Sequence, residues 1–424
     1  MFTKWQWLFD QFRRTVSARV TLYLIVAVAT ALMAVPLQSL PFPHVMSVAA
    51  ESVDSILKIL ASSMLTVTTF SLSVMVSAFS AASATATPRA TSLLQEDPTT
   101  HRVLGTFIGA FLFSLVGIIA LSMGVYNDNG RIILFAVTLV LVLVIVITIL
   151  NWIEHLSILG RVGETADRVE KATACALELR VKYPHLGAKL FNPDNPPAYI
   201  NSGVMASCTG YIQHIDMNRL NDLGEEYGIE ISVIKSPGSF VHPAEVIAAY
   251  GGDQSDALAE CIEKTFTIAN QRSFDQDPRF GLEVLIEIAS RALSPAVNDP
   301  GTAIDVIGRT VRLLVLWRDY QYLSDDDENI QFPNVRAPAV AIEDLFEDVY
   351  LPISRDGAGI LEVNVRLLKS LISLKQIAPD TFGAVAEIHA EMIVERAQQA
   401  LRSDREKSRM TELLRRIKQE SSTA

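Results

Sequence analysis

The chain has 424 residues, half of them hydrophobic, 20% charged, with a formal net charge of −11. That charge content is low for a wholly soluble protein of this length. The acidic balance excludes a general nucleic-acid binder, which needs a basic stripe to neutralise phosphates. The hydrophobic excess lies before His155 and most of the charge after it, so a membrane domain comes first and a soluble domain second.

In chain order, the opening segment carries Phe2, Trp5, Leu8, Phe9 and Phe12 at helical spacing beside Arg13 and Arg14. This predicts an amphipathic helix over residues 1–19 lying on the inner leaflet. Four apolar runs follow: Val20–Leu40, Ile56 to Pro88, Val103–Val125 and Ile132–Ile153. Each reaches the roughly 20 residues that span a hydrocarbon core, which predicts a four-helix transmembrane domain over 20–156. Lys4, Arg13, Arg14 and Arg19 precede the first run; Arg89 and Arg102 link the second and third; Arg161, Arg168 and Lys171 follow the fourth. The loop Pro41–Asp54 holds no Lys or Arg but does hold Glu51 and Asp54. The positive-inside rule then puts both termini in the cytoplasm of a multi-pass protein of the bacterial inner membrane.

The second run is the informative one. Ser62, Thr66, Thr69, Ser73, Ser77 and Ser80 recur at steps of three and four, which is one stripe of a helix. In lipid such a stripe faces protein or water. Two readings stand: close helix packing, or the wetted lining of a path in an oligomer, with Glu51 and Asp54 biasing its outer mouth toward cations. As one helix the run would be about 48 Å long, so either it tilts or its Ala/Ser/Thr-rich end emerges into the cytoplasm, and Pro88 then stops it. Gly105 and Gly109 form a GxxxG pair in the third run, which fits close packing on the second. No ionisable residue lies in the middle of a run, which argues against an ion-coupled transporter.

From 157 to 424 the sequence predicts a mainly α-helical cytoplasmic domain with a small α/β unit at about 200–250. Gly210–Asp216 and Ile229–Ile234 read as strands flanking a helix that ends at Gly228, with a turn at Ser236–Ser239 and a further short strand after it. Helical spacing covers Ser255–Ala269, Pro278–Leu293, Gly301–Tyr322, Glu343–Val349, Gly359–Ser373 and Thr381–Gln419. The acidic run Asp325–Glu328 reads as a solvated loop. In Arg291–Ala303, two prolines and an Asn-Asp-Pro turn interrupt the helices, with Asp299 placed to cap the next one. The segment reads either as a rigid corner or as a cytoplasmic ligand or interface loop presenting Arg291, Ser294, Asn298 and Asp299, with Arg272, Asp275 and Asp277 as companions.

Cys175, Cys208 and Cys261 form neither a CxxC pair nor a zinc spacing, and read as free thiols of a reducing compartment packed into the core. No GxSxG, P-loop, GxGxxG or HExxH motif is present, and His214 and His242 lack partners at metal-ligand spacing. The expectation is a protein that is not an enzyme and holds no cofactor or metal.

Several segments occur in an order that resembles a known family: TFSLS at Thr69–Ser73, TPR at Thr87–Arg89, LGTFIGAFLFSL at Leu104–Leu115, GYIQHID from Gly210, PGSFV at Pro237–Val241, and DPRFG through ALSPAVNDP ending at Pro300. Together they are similar to the bacterial predicted-membrane-protein family catalogued as domain of unknown function 2254, over nearly the whole chain. The LSPAVNDP segment is its most specific part. Where that pattern continues into a glycine-led turn after PGSFV, this chain has His242–Glu245, HPAE. The resemblance implies the architecture and carries no catalytic residues. The functional expectation is an oligomeric ion channel gated by its cytoplasmic domain, its partners the bilayer, further copies of itself and a permeant ion or small cytoplasmic ligand. The alternative is a non-conducting membrane-anchored sensor or scaffold.

Overall fold

The computed structural model describes residues 52–320 and 330–419, apart from 96, 125, 127, 193–194, 198–199 and 254, together with Thr21, Ile25 and Ala29, which are helical. The expected interfacial segment, nearly all of the first span, Glu51 and the acidic run 325–328 lie outside the described residues. Among those described, three helices are long and apolar enough to cross a membrane: α1 (Val53–Thr85), α2 (Pro98–Ser122) and α3 (Asp128–Ile158). The described residues fall into two compact units: one takes those before 85 together with 91–164, the other 85–90 and those from 165 onward.

In the first unit, α1 buries Val53, Leu57, Leu60, Met64, Ser71 and Ala82, which share one face at 100° per residue. Leu57 packs on Gly117 of α2, where an added Cβ would stand 2.9 Å from Leu57 Cδ1. Leu60 and Met64 join Phe107 of α2 and Trp152 of α3 in one cluster. The Trp152 indole donates to Ser71 Oγ at 2.9 Å. Asp97 caps α2 by accepting from Thr100 N at 2.8 Å and Thr100 Oγ1 at 2.6 Å, and its carboxylate also stands 2.8 Å from His155 Nε2 of α3. Polar groups inside this unit therefore meet one another across the helices, as a low-dielectric setting requires.

The second unit begins with α4 (Val162–Lys182). Among the described residues, eight strands form two sheets. Strands β1 (Ala188–Leu190), β2 (Ile200–Met205), β4 (Ile231–Val233), β6 (Val246–Gly251) and β8 (Phe332–Ala337) make a five-stranded sheet in the order β1-β8-β4-β6-β2. Strands β5 (Phe240–Val241), β3 (Gly210–Ile215) and β7 (Phe266–Ala269) make a three-stranded one in the order β5-β3-β7. Helices α5 (Met217–Tyr227) and α6 (Asp256–Glu263) accompany them, and Ile212, Ile215, Leu220, Val233, Ile262 and Val335 share their core. The helical remainder is α7 (Pro278–Ala292), α8 (Pro300–Val315), α9 (Ile342–Asp356), α10 (Leu361–Ile377), α11 (Pro379–Ala400) and α12 (Asp404–Gln419). Lys375 ties α10 to its neighbours, donating to Glu387 Oε1 and to the Ile417 carbonyl, each at 2.6 Å.

The α/β region is wider than the 200–250 expected. Its sheet takes β1 and β8 from either side, paired in parallel, and β8 also pairs with β4. The helix expected over Ser255–Ala269 stops at α6; Phe266–Ala269 turns instead into β7, where β-branched and aromatic residues pair with β3. The single helix expected over Thr381–Gln419 breaks at Leu401, which is extended, and α12 returns against α11 with Gln398 Nε2 donating to the Lys407 carbonyl at 2.9 Å. The HPAE turn closes without glycine, through Glu245 N to the His242 carbonyl at 2.9 Å. The core placement expected of the cysteines fails for two of the three: Cys175 is exposed on the outward side of α4 and Cys208 is exposed in the bend between β2 and β3, while Cys261 packs half-buried against the sheet core.

Gly238 sits in the turn before β5 with φ +92°, and a Cβ there would stand 2.1 Å from Asp277 Oδ2. Gly238→Ala meets both a left-handed backbone and a carboxylate that is already in use, so it should cost about 2 kcal/mol or more. A thermal melt of the purified protein checks this, and an unchanged midpoint would contradict it.

Candidate functional site

Helix α7 is buried at ten of its fifteen positions; Arg279, Glu283, Glu287, Ser290 and Arg291 are the rest. Arg279, Glu283, Glu287 and Arg291 are each four residues apart and form one charged row on an otherwise apolar helix. Asp277 starts the helix, accepting from Phe280 N at 3.2 Å, with Pro278 at the first position.

Each member of the row is committed. Arg279 Nε donates to Asp348 Oδ2 and its Nη1 to Asp344 Oδ2, both at 2.7 Å, which fastens α9. Arg272, in the segment after β7, donates from Nε to Asp277 Oδ2 and from Nη1 to both Glu283 oxygens, all at 2.7 Å. Its guanidinium also lies 5.0 Å from the Phe280 ring centroid. Burial pulls the Arg272 pKa down, but the pairs with Asp277 and Glu283 outweigh it and raise it overall. Burial raises the Glu283 carboxyl against the opposing pull of Arg272.

The remaining two members hold the segment that ends α1, which belongs to the same unit. Thr87 is buried and donates from Oγ1 to Glu287 Oε2 at 2.7 Å, while Arg89 Nη1 donates to Glu287 Oε1. Glu287 in turn holds Arg89 above the ordinary arginine range. Arg291 Nη1 reaches the Ala86 carbonyl at 3.4 Å. A helix end leaves carbonyls without intrahelical partners, and a cation there is favourable. Pro88 opens the short turn Pro88–Ala90. Together these contacts clasp residues 86–89 onto α7.

Of the four residues expected to form a cytoplasmic loop site, Arg291 joins this clasp. The other three build the corner between α7 and α8. Ser294 Oγ donates to the Arg291 carbonyl at 2.7 Å, and the Ser294 carbonyl accepts from Asn298 N at 2.8 Å. Asn298 takes a left-handed φ of 51°, and Asp299 caps α8 by accepting from Thr302 N at 3.1 Å and Thr302 Oγ1 at 2.6 Å. Those bonds hold Asp299 below the usual carboxylate range. Asp275 accepts from Ser273 Oγ at 3.1 Å and lies apart from the row.

In α1, Ser62, Thr66, Thr69, Ser73, Ser77 and Ser80 are all exposed, on the side opposite the buried face. Most are satisfied by their own helix: Ser62 Oγ donates to the Ile59 carbonyl, Thr66 to Ser62, Thr69 to Thr66 and Ser77 to Ser73, at 2.9–3.0 Å. Asp54 accepts from Lys58 Nζ at 2.6 Å, so its charge is locally balanced. Sequence reasoning passed over Thr87, Arg89 and Glu287. The available signal was the four-residue charge spacing on α7 and a TPR motif directly after an apolar run.

The architecture defines a membrane protein with a large appended α/β and helical unit. A family profile described as predicted membrane protein, domain of unknown function 2254, matches residues 13–373, and the chain belongs to that family. An uncharacterized protein of Mycobacterium bovis is 29% identical over 216 residues, covering 48% of this chain and 41% of that protein. An uncharacterized protein of Mycobacterium tuberculosis matches with the same identity and coverage. The match thus takes in less than half the length of these relatives. No solved structure matches.

Glu287→Gln keeps an acceptor for Thr87 and removes the charge that Arg89 meets. Amide exchange at residues 85–90 should quicken about two- to five-fold, the range of a partly exposed ion pair. The swap R89E/E287R should restore slow exchange. Unchanged exchange in Glu287→Gln would show that the pair holds nothing.

Proposed function

We propose that the protein is an oligomeric ion channel of the bacterial inner membrane, with both termini cytoplasmic, the α1 helices lining the path and the soluble unit acting as gate. One observation carries this reading. The six hydroxyls of α1 fall on the face opposite the one packed on α2 and α3, and nothing among the described residues covers them. A face of small hydroxyls with neighbouring Leu65, Phe70 and Val76 is poorly matched to lipid on its polar side and well matched to water or to another copy. Side chains already bonded to their own backbone need no partner from the opposite wall. That suits a path through which ions pass without tight binding.

The clasp supplies the means of gating. Residues 86–89 are continuous with α1 and are held by Glu287 and Arg291, so a rearrangement of α7 acts directly on the end of the lining helix. The reading requires no catalysis and no cofactor. A non-conducting sensor or scaffold is favoured instead by the balance of Asp54 against Lys58, which weakens a cation-attracting outer mouth.

Ion flux through protein reconstituted in liposomes discriminates the two. The parent should conduct, Thr69→Phe of matched folding and assembly should conduct at least ten-fold less, and Glu287→Gln should change open probability while leaving single-channel conductance alone. Absence of flux for several ions in correctly assembled protein would remove the channel reading and leave the anchored sensor.

A further inference from the structure

Arg180 lies near the end of α4 and is 4% exposed. A guanidinium carries five N–H donors in a fixed fork and does not shed its charge. Among the described residues it makes one hydrogen bond, from Nη2 to the Gln276 carbonyl at 2.9 Å. Gln276 is itself immobilised: its side-chain amide accepts from Ile215 N at 2.9 Å and donates to the Ile215 carbonyl at 3.3 Å. Asp277, the acidic group that Arg180 feels, is committed to Arg272 at 2.7 Å and to Phe280 N at 3.2 Å. Burial holds the Arg180 guanidinium below its ordinary pKa, the reverse of Arg272, Arg279 and Arg309, whose carboxylate partners raise theirs. Arg180 differs from Arg272, Arg279 and Arg309 of the same unit in having no carboxylate at bonding distance among the described residues.

A second observation points to what meets it. Arg180 lines a small, partly open cavity with Ala176, Leu179, Tyr183, Leu186 and Gln276, with room for one particle of about water size. Ala176, Leu179 and Leu186 make much of the wall apolar, which strengthens any charge interaction inside it. Water would accept a bond from the fork but would leave the buried charge without a counter-ion, which is the costly arrangement. Phosphate and sulfate are too large for the space.

We propose that this cavity is a binding site for a small monovalent anion of chloride size, held by the Arg180 fork. The site is independent of whether the protein conducts ions. The full-length protein in detergent is melted in potassium chloride and in potassium gluconate at equal ionic strength. Chloride should raise the melting midpoint by about 3 °C, saturably, and R180M should melt alike in the two salts. Equal melting of the parent in both salts overturns the proposal, as does a chloride effect that survives in R180M. Bromide-soaked crystals of the parent give a readout that does not depend on how R180M folds. An anomalous peak against the Arg180 fork supports the site; water alone in the cavity overturns it.

Discussion

Helix α7 is apolar around most of its circumference, and that leaves a single row for its polar residues. Every charge in the row must then find its partner on whatever element lies against it, since a half-buried charge without one is expensive. Arg279 takes α9, Glu283 takes the segment after β7, and Glu287 and Arg291 take residues 86–89. On another face, Gly281 lets α4 approach so closely that a Cβ would stand 2.0 Å from Thr173 Oγ1. The order of the second unit follows from this: neighbours are chosen by the charges α7 offers, and apolar burial then holds them.

The membrane-capable unit works by the complementary rule. Hydrocarbon offers no hydrogen bonds, so its polar side chains meet one another or their own backbone. Asp97, Thr100 and His155 do the first, as do Ser71 and Trp152; the α1 hydroxyls do the second. The result is a helix with two unlike faces, one packed on α2 and α3 and one bearing hydroxyls. The proposed path uses the second face. Residues 86–89 follow that helix in the chain and are held on α7 by Glu287 and Arg291.

Much of the local structure was legible because local signals specify it. Asp277-Pro278 and Asp299-Pro300 each announce a capped helix start, Gly228 ends α5 in a left-handed conformation, and three of the apolar runs are membrane-length helices. The errors are equally local in origin. Phe266–Ala269 continues an acceptable helical pattern, and pairing with β3 overrides it. The break at Leu401 has no glycine or proline to announce it and is set by the return of α12 onto α11. Strand β1 is three residues long and pairs with β8 from far apart in the chain, so their partnership is not recognisable from either segment alone. In the candidate site, Arg291 stood out for its place in a proline-rich motif, whereas Glu287 lies in an ordinary stretch of amphipathic helix.

The sequence alone determined which segments are apolar enough for lipid, that one of them carries a hydroxyl stripe, and where the soluble helices begin. These properties are periodic, and period is visible along a chain. Tertiary structure decided which way the stripe faces, which charges in the α7 row meet which partners, and that Ser294, Asn298 and Asp299 close a corner while Arg291 reaches the Ala86 carbonyl. It also decided that Arg180 is buried with a single carbonyl acceptor among the described residues. Such facts depend on which groups, distant in sequence, share a low-dielectric space, and spacing along a chain carries no record of that.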